Sequence, residues 1–179
     1  FQVDDHIGVA AAGYIPDART QVDHARFFAQ SNRLIYDEPV DVEGVAKNIA
    51  DMAQQFTQYA GVRPFGVALL LAGVDKNGAN LFLTDPSGTY IGYDAMAIGA
   101  GSDQVTDFLE KSYKQDISLA EAASLAVECI YLVSEDKSST KHMKMAIIDT
   151  KTKAMRKVED EELEKYAASA KEKAGRHPA

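Results

Sequence analysis

The chain has 179 residues, of which 46% are hydrophobic and 26% charged. That is enough for one sizeable core and too apolar for disorder throughout. Nineteen Lys and Arg stand against 27 Asp and Glu, a net charge of −8, which argues against binding a phosphate backbone over a broad surface; no apolar run approaches the ~20 residues of a membrane-spanning helix, and the lone Cys129 excludes an intrachain disulfide and a cysteine-rich metal site.

Phe1-Gln2-Val3 is neither an initiator Met nor a signal peptide. The sequence enters a strand at once, so it is expected to begin inside a longer chain. Ile7, Val9 and Ala11 alternate with His6, Gly8 and Ala10, predicting a strand from about His6 to Tyr14. Pro16 suits a helix's first turn, and Asp17 suits its positive end. Ala18, Val22, Ala25 and Ala29 then recur at helical spacing, to about Leu34. Pro39 disfavours helical geometry at Glu38.

Asp41 is the expected N-cap of a second helix, whose Val42, Val45, Ile49, Met52 and Phe56 form one face as far as about Tyr59. Gly61 and Pro64 end it. The run Val67 to Val74 is apolar at every position and reads as a strand covered on both faces. A turn at Asp75 to Gly78, a return strand Asn80 to Thr84, a Pro-containing turn Asp85 to Gly88 and a strand Thr89 to Asp94 follow. Ala95 to Ile98 is a further strand candidate. Ser102 is the expected N-cap of a third helix, to about Lys114. Ser118-Leu119-Ala120-Glu121 has the spacing of a capping box and opens a fourth helix carrying Cys129 on its apolar face. A polar loop spans Glu135 to Thr140. A strand is expected at Met143 to Asp149, then a turn at Thr150 to Lys153 and a short strand to Val158. A charged helix covers about 159–173, with Glu161 and Lys165 spaced to pair, and a frayed tail begins at Gly175.

Helices thus come in pairs and strands in hairpin-linked groups. This is not βαβ alternation, so a doubly wound parallel sheet is disfavoured. The expected fold class is α+β: a single domain over 1–179, built as a four-layer α-β-β-α sandwich of antiparallel sheets.

Signals for chemistry are sparse. Gly99-Ala100-Gly101-Ser102 could cradle a phosphate at a helix start. However, Gln104 occupies the place of the third glycine of the dinucleotide fingerprint, and a tight turn is the plainer reading. His6, His24, His142 and His177 lack metal-site spacing and read as surface or strand-edge residues. Cys129 reads as a buried, inert thiol. Arg63-Pro64-Phe65-Gly66 joins a helix to a central strand through a rigid turn. Its Arg63 suits either a neighbouring chain's carboxylate or carbonyl, or a staple within its own loop.

Several stretches together resemble a known family. Gly13-Tyr14-Ile15-Pro16-Asp17-Ala18-Arg19, Tyr36-Asp37-Glu38-Pro39 and Gln55-Phe56-Thr57-Gln58-Tyr59-Ala60-Gly61-Val62-Arg63-Pro64-Phe65-Gly66-Val67 are similar to α subunits of the proteasome core particle, in their archaeal form. Asp85-Pro86-Ser87-Gly88 and Ala97-Ile98-Gly99 with Gly101 continue the pattern, and the resemblance is strong from Phe1 to Val133. It implies the sandwich of N-terminal-nucleophile hydrolases, here without the family's first strands and N-terminal helix. It implies a cytoplasmic, non-catalytic subunit with no cofactor and no metal, because an exposed N-terminal Thr is the family's nucleophile and belongs to the β subunits. The implied partners are other α subunits in a seven-membered ring, β subunits, and the C-terminal tails of activating ATPases. By the same resemblance Gly13, Tyr14 and Ile15 line the activator-tail pocket, whose lysine would precede Phe1. Tyr59, Gly61 and Arg63 form a loop supporting contacts between neighbours near the gate. Two other readings compete: a catalytic N-terminal-nucleophile (threonine) hydrolase relative, and a small-ligand binder using Gly99 to Ser102.

Overall fold

The computed structural model describes residues 1–135 and 139–174. The expected tail from Gly175 and His177 lie outside the described residues, as does the middle of the loop between Glu135 and Thr140. The chain divides into two compact units. One comprises Phe1–Gly99 with Ile148–Met155, the other Ala100–Ile147 with the residues from Arg156 on.

The first unit is a five-stranded antiparallel sheet with two helices. In chain order these are β1 (Gln2–Asp4), β2 (Ile7–Gly13), α1 (Ile15–Tyr36), α2 (Val42–Phe56), β3 (Val67–Asp75), β4 (Gly78–Thr84) and β5 (Tyr90–Gly92), and the strands lie side by side in that same order. Register places Gly13 opposite Val67, Val9 opposite Leu71 and Leu71 opposite Phe82. Hairpins explain the antiparallel pairing of β3 with β4 and β4 with β5, whose connections are only a few residues long. The short β1 escaped the periodicity argument, since three residues carry too little alternation to register.

Alternation in β3 decides which side chains meet the helices. Val67, Leu69 and Leu71 are buried with Ile7, Val22, Val42, Val45 and Ile49 in one apolar cluster. Each of those fully buried aliphatic side chains contributes about 1.5–3 kcal/mol relative to exposure. Ala68 and Leu70, on the other face, are half-buried, and Ala72 is exposed. Within this unit, then, β3 is covered by helices on one face rather than two. An all-apolar run does not say which element covers each face.

Two caps differ from expectation. Asp41 stands at the N-cap of α2 but makes no side-chain cap bond. Instead Asp75, from the β3–β4 turn, accepts from the Val42 amide at 2.9 Å and from the Asn77 amide at 2.7 Å. An orphan amide at a helix start takes whichever acceptor the tertiary fold supplies. His6 is 5% exposed, not a surface residue. Its Nε2 donates to the Val40 carbonyl at 2.7 Å, tying the β1–β2 turn to the α1–α2 loop.

The second unit contains α3 (Ser102–Ser112), α4 (Leu119–Val133) and α5 (Asp160–Ala174). The strands β6 (Ala146–Ile148) and β7 (Met155–Lys157) pair with each other as a two-stranded sheet. Ala95 to Ile98 forms no strand. The N-cap of α3 is Gly101, at φ 78°, and not Ser102; a left-handed entry suits glycine, which shifts the helix start by one residue. The capping box of α4 forms as expected: Ser118 Oγ accepts from the Glu121 amide at 3.3 Å, while Glu121 Oε2 accepts from the Ser118 amide at 2.9 Å. Val127 and Tyr131 of α4 pack with Leu163, Ala167 and Ala170 of α5. Cys129 is buried, and burial pushes its thiol up to about 11, as an inert side chain requires.

The ion pair of α5 is not the expected Glu161–Lys165, which does not form among the described residues. Arg156 forks onto both Glu162 oxygens at 2.7 Å, and the Tyr166 hydroxyl donates to the same carboxylate at 2.6 Å. Arg156, and then Tyr166, hold the Glu162 carboxyl down at about 2 against an ordinary 4.5. A depressed carboxyl contributes stability that is present above its unfolded pKa and is lost as pH falls through the folded one. The wild type is therefore expected to lose melting temperature between pH 4.5 and about 2 faster than Glu162→Gln does. A gap between the two proteins that stays constant across that range in thermal melts contradicts the assignment.

Candidate functional site

The two groups of residues singled out in the sequence meet at one corner of the first unit. Gly13 ends β2 at φ 123°, opposite Val67. A Cβ there would lie 2.4 Å from the Gly66 carbonyl oxygen, so only glycine fits. The backbone then turns sharply. Tyr14 is the N-cap of α1, in extended conformation and with no side-chain cap bond. Its amide donates to the Gly66 carbonyl at 2.7 Å, and its carbonyl accepts from the Asp17 amide at 3.0 Å. Pro16 lacks an N–H to satisfy, and the Ile15 amide, at the first helical position, has no acceptor within its helix. Both Tyr14 (54%) and Ile15 (42%) are well exposed.

The second stretch leaves the end of α2. Phe65 is buried and stacks on Phe56, ring centroids 4.5 Å apart, which pins the Pro64-Phe65 turn to α2. Tyr59 is exposed. Gly61 is at φ 84° with open space where a Cβ would stand, so its glycine serves backbone conformation and not packing. Arg63 crosses to α1: its Nη1 and Nη2 donate to the two Asp17 oxygens at 2.6 and 2.9 Å. The Gly66 amide adds a third bond to Asp17, also 2.9 Å. The guanidinium lies 5.3 Å from the centroid of the Tyr14 ring, within cation–π range. Hydrogen bonds from Arg63, then the Gly66 amide, hold the Asp17 carboxyl below its ordinary value despite burial, which opposes them.

Of the six candidate residues, Gly13, Tyr14 and Arg63 are thus joined, with Ile15 beside them; Tyr59 and Gly61 lie on the same loop as Arg63. Of the two uses open to Arg63, its side chain makes the staple within its own chain. Sequence reasoning placed Asp17 only as a favourable charge at a helix start. Its partnership with Arg63, 46 residues away, left no local signal.

Comparison with known proteins decides the family. The proteasome subunit model matches residues 1–148. The chain belongs to the proteasome subunit family. Among curated relatives, this proteasome-family chain is 46% identical over 173 residues to "Proteasome subunit alpha" of Methanosarcina barkeri, covering 97% of this chain and 70% of the relative. It is 44% identical, with the same coverage, to the protein of that name in Methanosarcina acetivorans. With that of Pyrobaculum aerophilum it shares 46% over 91% of this chain and 67% of the relative. The five helices and antiparallel sheets of the described residues accord with the N-terminal-nucleophile hydrolase fold of proteasome subunits. No helix among the described residues is long and apolar enough to cross a membrane.

Proposed function

We infer that this chain is a non-catalytic α subunit of a proteasome core particle, the type that forms the outer ring, gates substrate entry and docks activating ATPases. The observation that carries this reading is the 46% identity, across 97% of the chain, to a protein named proteasome subunit alpha. The reading takes 1–179 as part of one proteasome-type domain, working in the cytoplasm, with seven α subunits per ring and β subunits as its partners. The catalytic-hydrolase alternative is not favoured, because the relatives carry the α name.

At the corner described above, the resemblance assigns Gly13, Tyr14 and Ile15 to the activator-tail pocket. The geometry supports it in one respect. The first turn of α1 presents a backbone amide with no helical acceptor, beside exposed Tyr14 and Ile15, the kind of end that takes a terminal carboxylate. Tyr59, Gly61 and Arg63 are assigned to the loop that supports contacts with the next subunit.

Co-expression of the full-length subunit with its organism's β subunit tests the assignment. Native mass spectrometry is expected to show α subunits in multiples of seven. Peptide hydrolysis by that complex is expected to vanish when the β nucleophile alone is replaced. A monomeric α subunit in the presence of β, or residual cleavage traced to the α chain, overturns it.

A further inference from the structure

Asp17 has no place in the pocket as assigned, yet it is the most heavily bonded side chain at that corner. Asp17 is 9% exposed, and its carboxylate collects three donors, two from Arg63 and one from the Gly66 amide. The Gly66 carbonyl accepts from the Tyr14 amide at 2.7 Å, and Arg63 lies over the Tyr14 ring. These contacts close a ring through Asp17, Gly66, Tyr14 and Arg63. The start of α1 has no side-chain cap of its own, so this ring, together with the pairing of Gly13 with Val67, holds the direction in which Gly13 to Ile15 face.

We propose that Asp17, clamped by Arg63, is a positioning residue for a tail carboxylate at Gly13 to Ile15, and that Arg63 also neutralises the Asp17 charge that would otherwise oppose that carboxylate. The proposal rests on the tail-pocket reading above. Capture by backbone amides gains affinity when the amides are set beforehand. A fork of two parallel bonds sets direction as a single point charge does not. The second role has a particular consequence: removing Arg63 leaves the Asp17 charge held by the Gly66 amide alone, close to where the ligand's charge would sit, and removing both partners does not.

The test uses core particles assembled from full-length subunits and a labelled peptide of the last seven residues of the organism's own activating ATPase, as free acid and as C-terminal amide. Binding is read by fluorescence anisotropy. For wild type the free acid is expected to bind more tightly than the amide. Arg63→Gln should weaken the free acid by about tenfold and leave the amide nearly unchanged. Asp17→Asn/Arg63→Gln should recover about threefold of that loss. Arg63→Lys, which keeps the charge at an exposed side chain and loses the fork, should weaken binding less than Arg63→Gln; it carries the test if the double variant does not assemble. Wild type indifferent to the terminal carboxylate sinks the pocket reading and this inference with it. A carboxylate preference in wild type that survives Arg63→Gln unchanged leaves the pocket standing and removes Asp17 and Arg63 from it. An Arg63→Gln effect equal on acid and amide overturns the positioning role, and a double variant no better than the single, or a Lys variant as weak as Gln, overturns the neutralising role.

Discussion

Gly13→Ala is expected to lower the melting temperature of the subunit by roughly 6–12 °C, equivalent to about 3 kcal/mol at two to four degrees per kcal/mol for a chain of this size. Two costs add. At φ 123° an L side chain occupies a conformation that costs on the order of 1–3 kcal/mol. The new Cβ would also lie 2.4 Å from the Gly66 carbonyl oxygen and 3.1 Å from the Val67 Cα. Both are backbone atoms of the neighbouring strand end, which cannot swing aside as a flexible side chain does. Overpacking of that kind costs roughly 1–3 kcal/mol. Relief requires prying β2 from β3 where Tyr14 and Gly66 are bonded, so the start of α1 moves too. The variant should therefore bind the free-acid tail peptide more weakly than wild type even at temperatures where it is fully folded. A melt within 2 °C of wild type, roughly the effect of half a kcal/mol to one kcal/mol, refutes the strain argument.

Leu71→Ala is expected to destabilise the chain by about 2–5 kcal/mol, the range for truncating a fully buried leucine. Leu71 is 0% exposed, in the cluster under α1 and α2, between Val9 and Phe82 on the flanking strands. A central strand held from both sides by hydrogen-bonded neighbours has little freedom to collapse into the cavity, which favours the upper part of that range. Leu34→Ala is the matched comparison. Leu34 is 86% exposed near the end of α1, and its loss should change the stability of the subunit alone by no more than about 0.5 kcal/mol. Urea melts of both variants measure the difference. Comparable midpoints for the two place the core elsewhere.

The identity of the elements was legible wherever a period repeated often enough. The faces of α1 and α2 come directly from Ala18, Val22, Ala25, Ala29 and from Val45, Ile49, with the buried residues at the expected spacing. The capping box at Ser118 and Glu121 is a strictly local arrangement of side chain and backbone, so its spacing alone predicts it. The family motif around Gln55 to Val67 pointed to the proteasome, and the family model spanning residues 1–148 agrees.

What the tertiary structure decided were interactions between groups distant along the chain. Asp75 takes the acceptor role expected of Asp41 because the β3–β4 turn lands beside the start of α2. Arg63 reaches Asp17 because β2 and β3 pair, bringing Gly13 beside Val67 and the two loops to one corner. His6 is buried in the β1–β2 turn, where the distant α1–α2 loop offers it the Val40 carbonyl. Local patterning is set by the periods of helix and strand, which the order of residues carries in full. Which polar group meets which depends on chain segments brought together only by folding, and that pairing has no signature in any one segment.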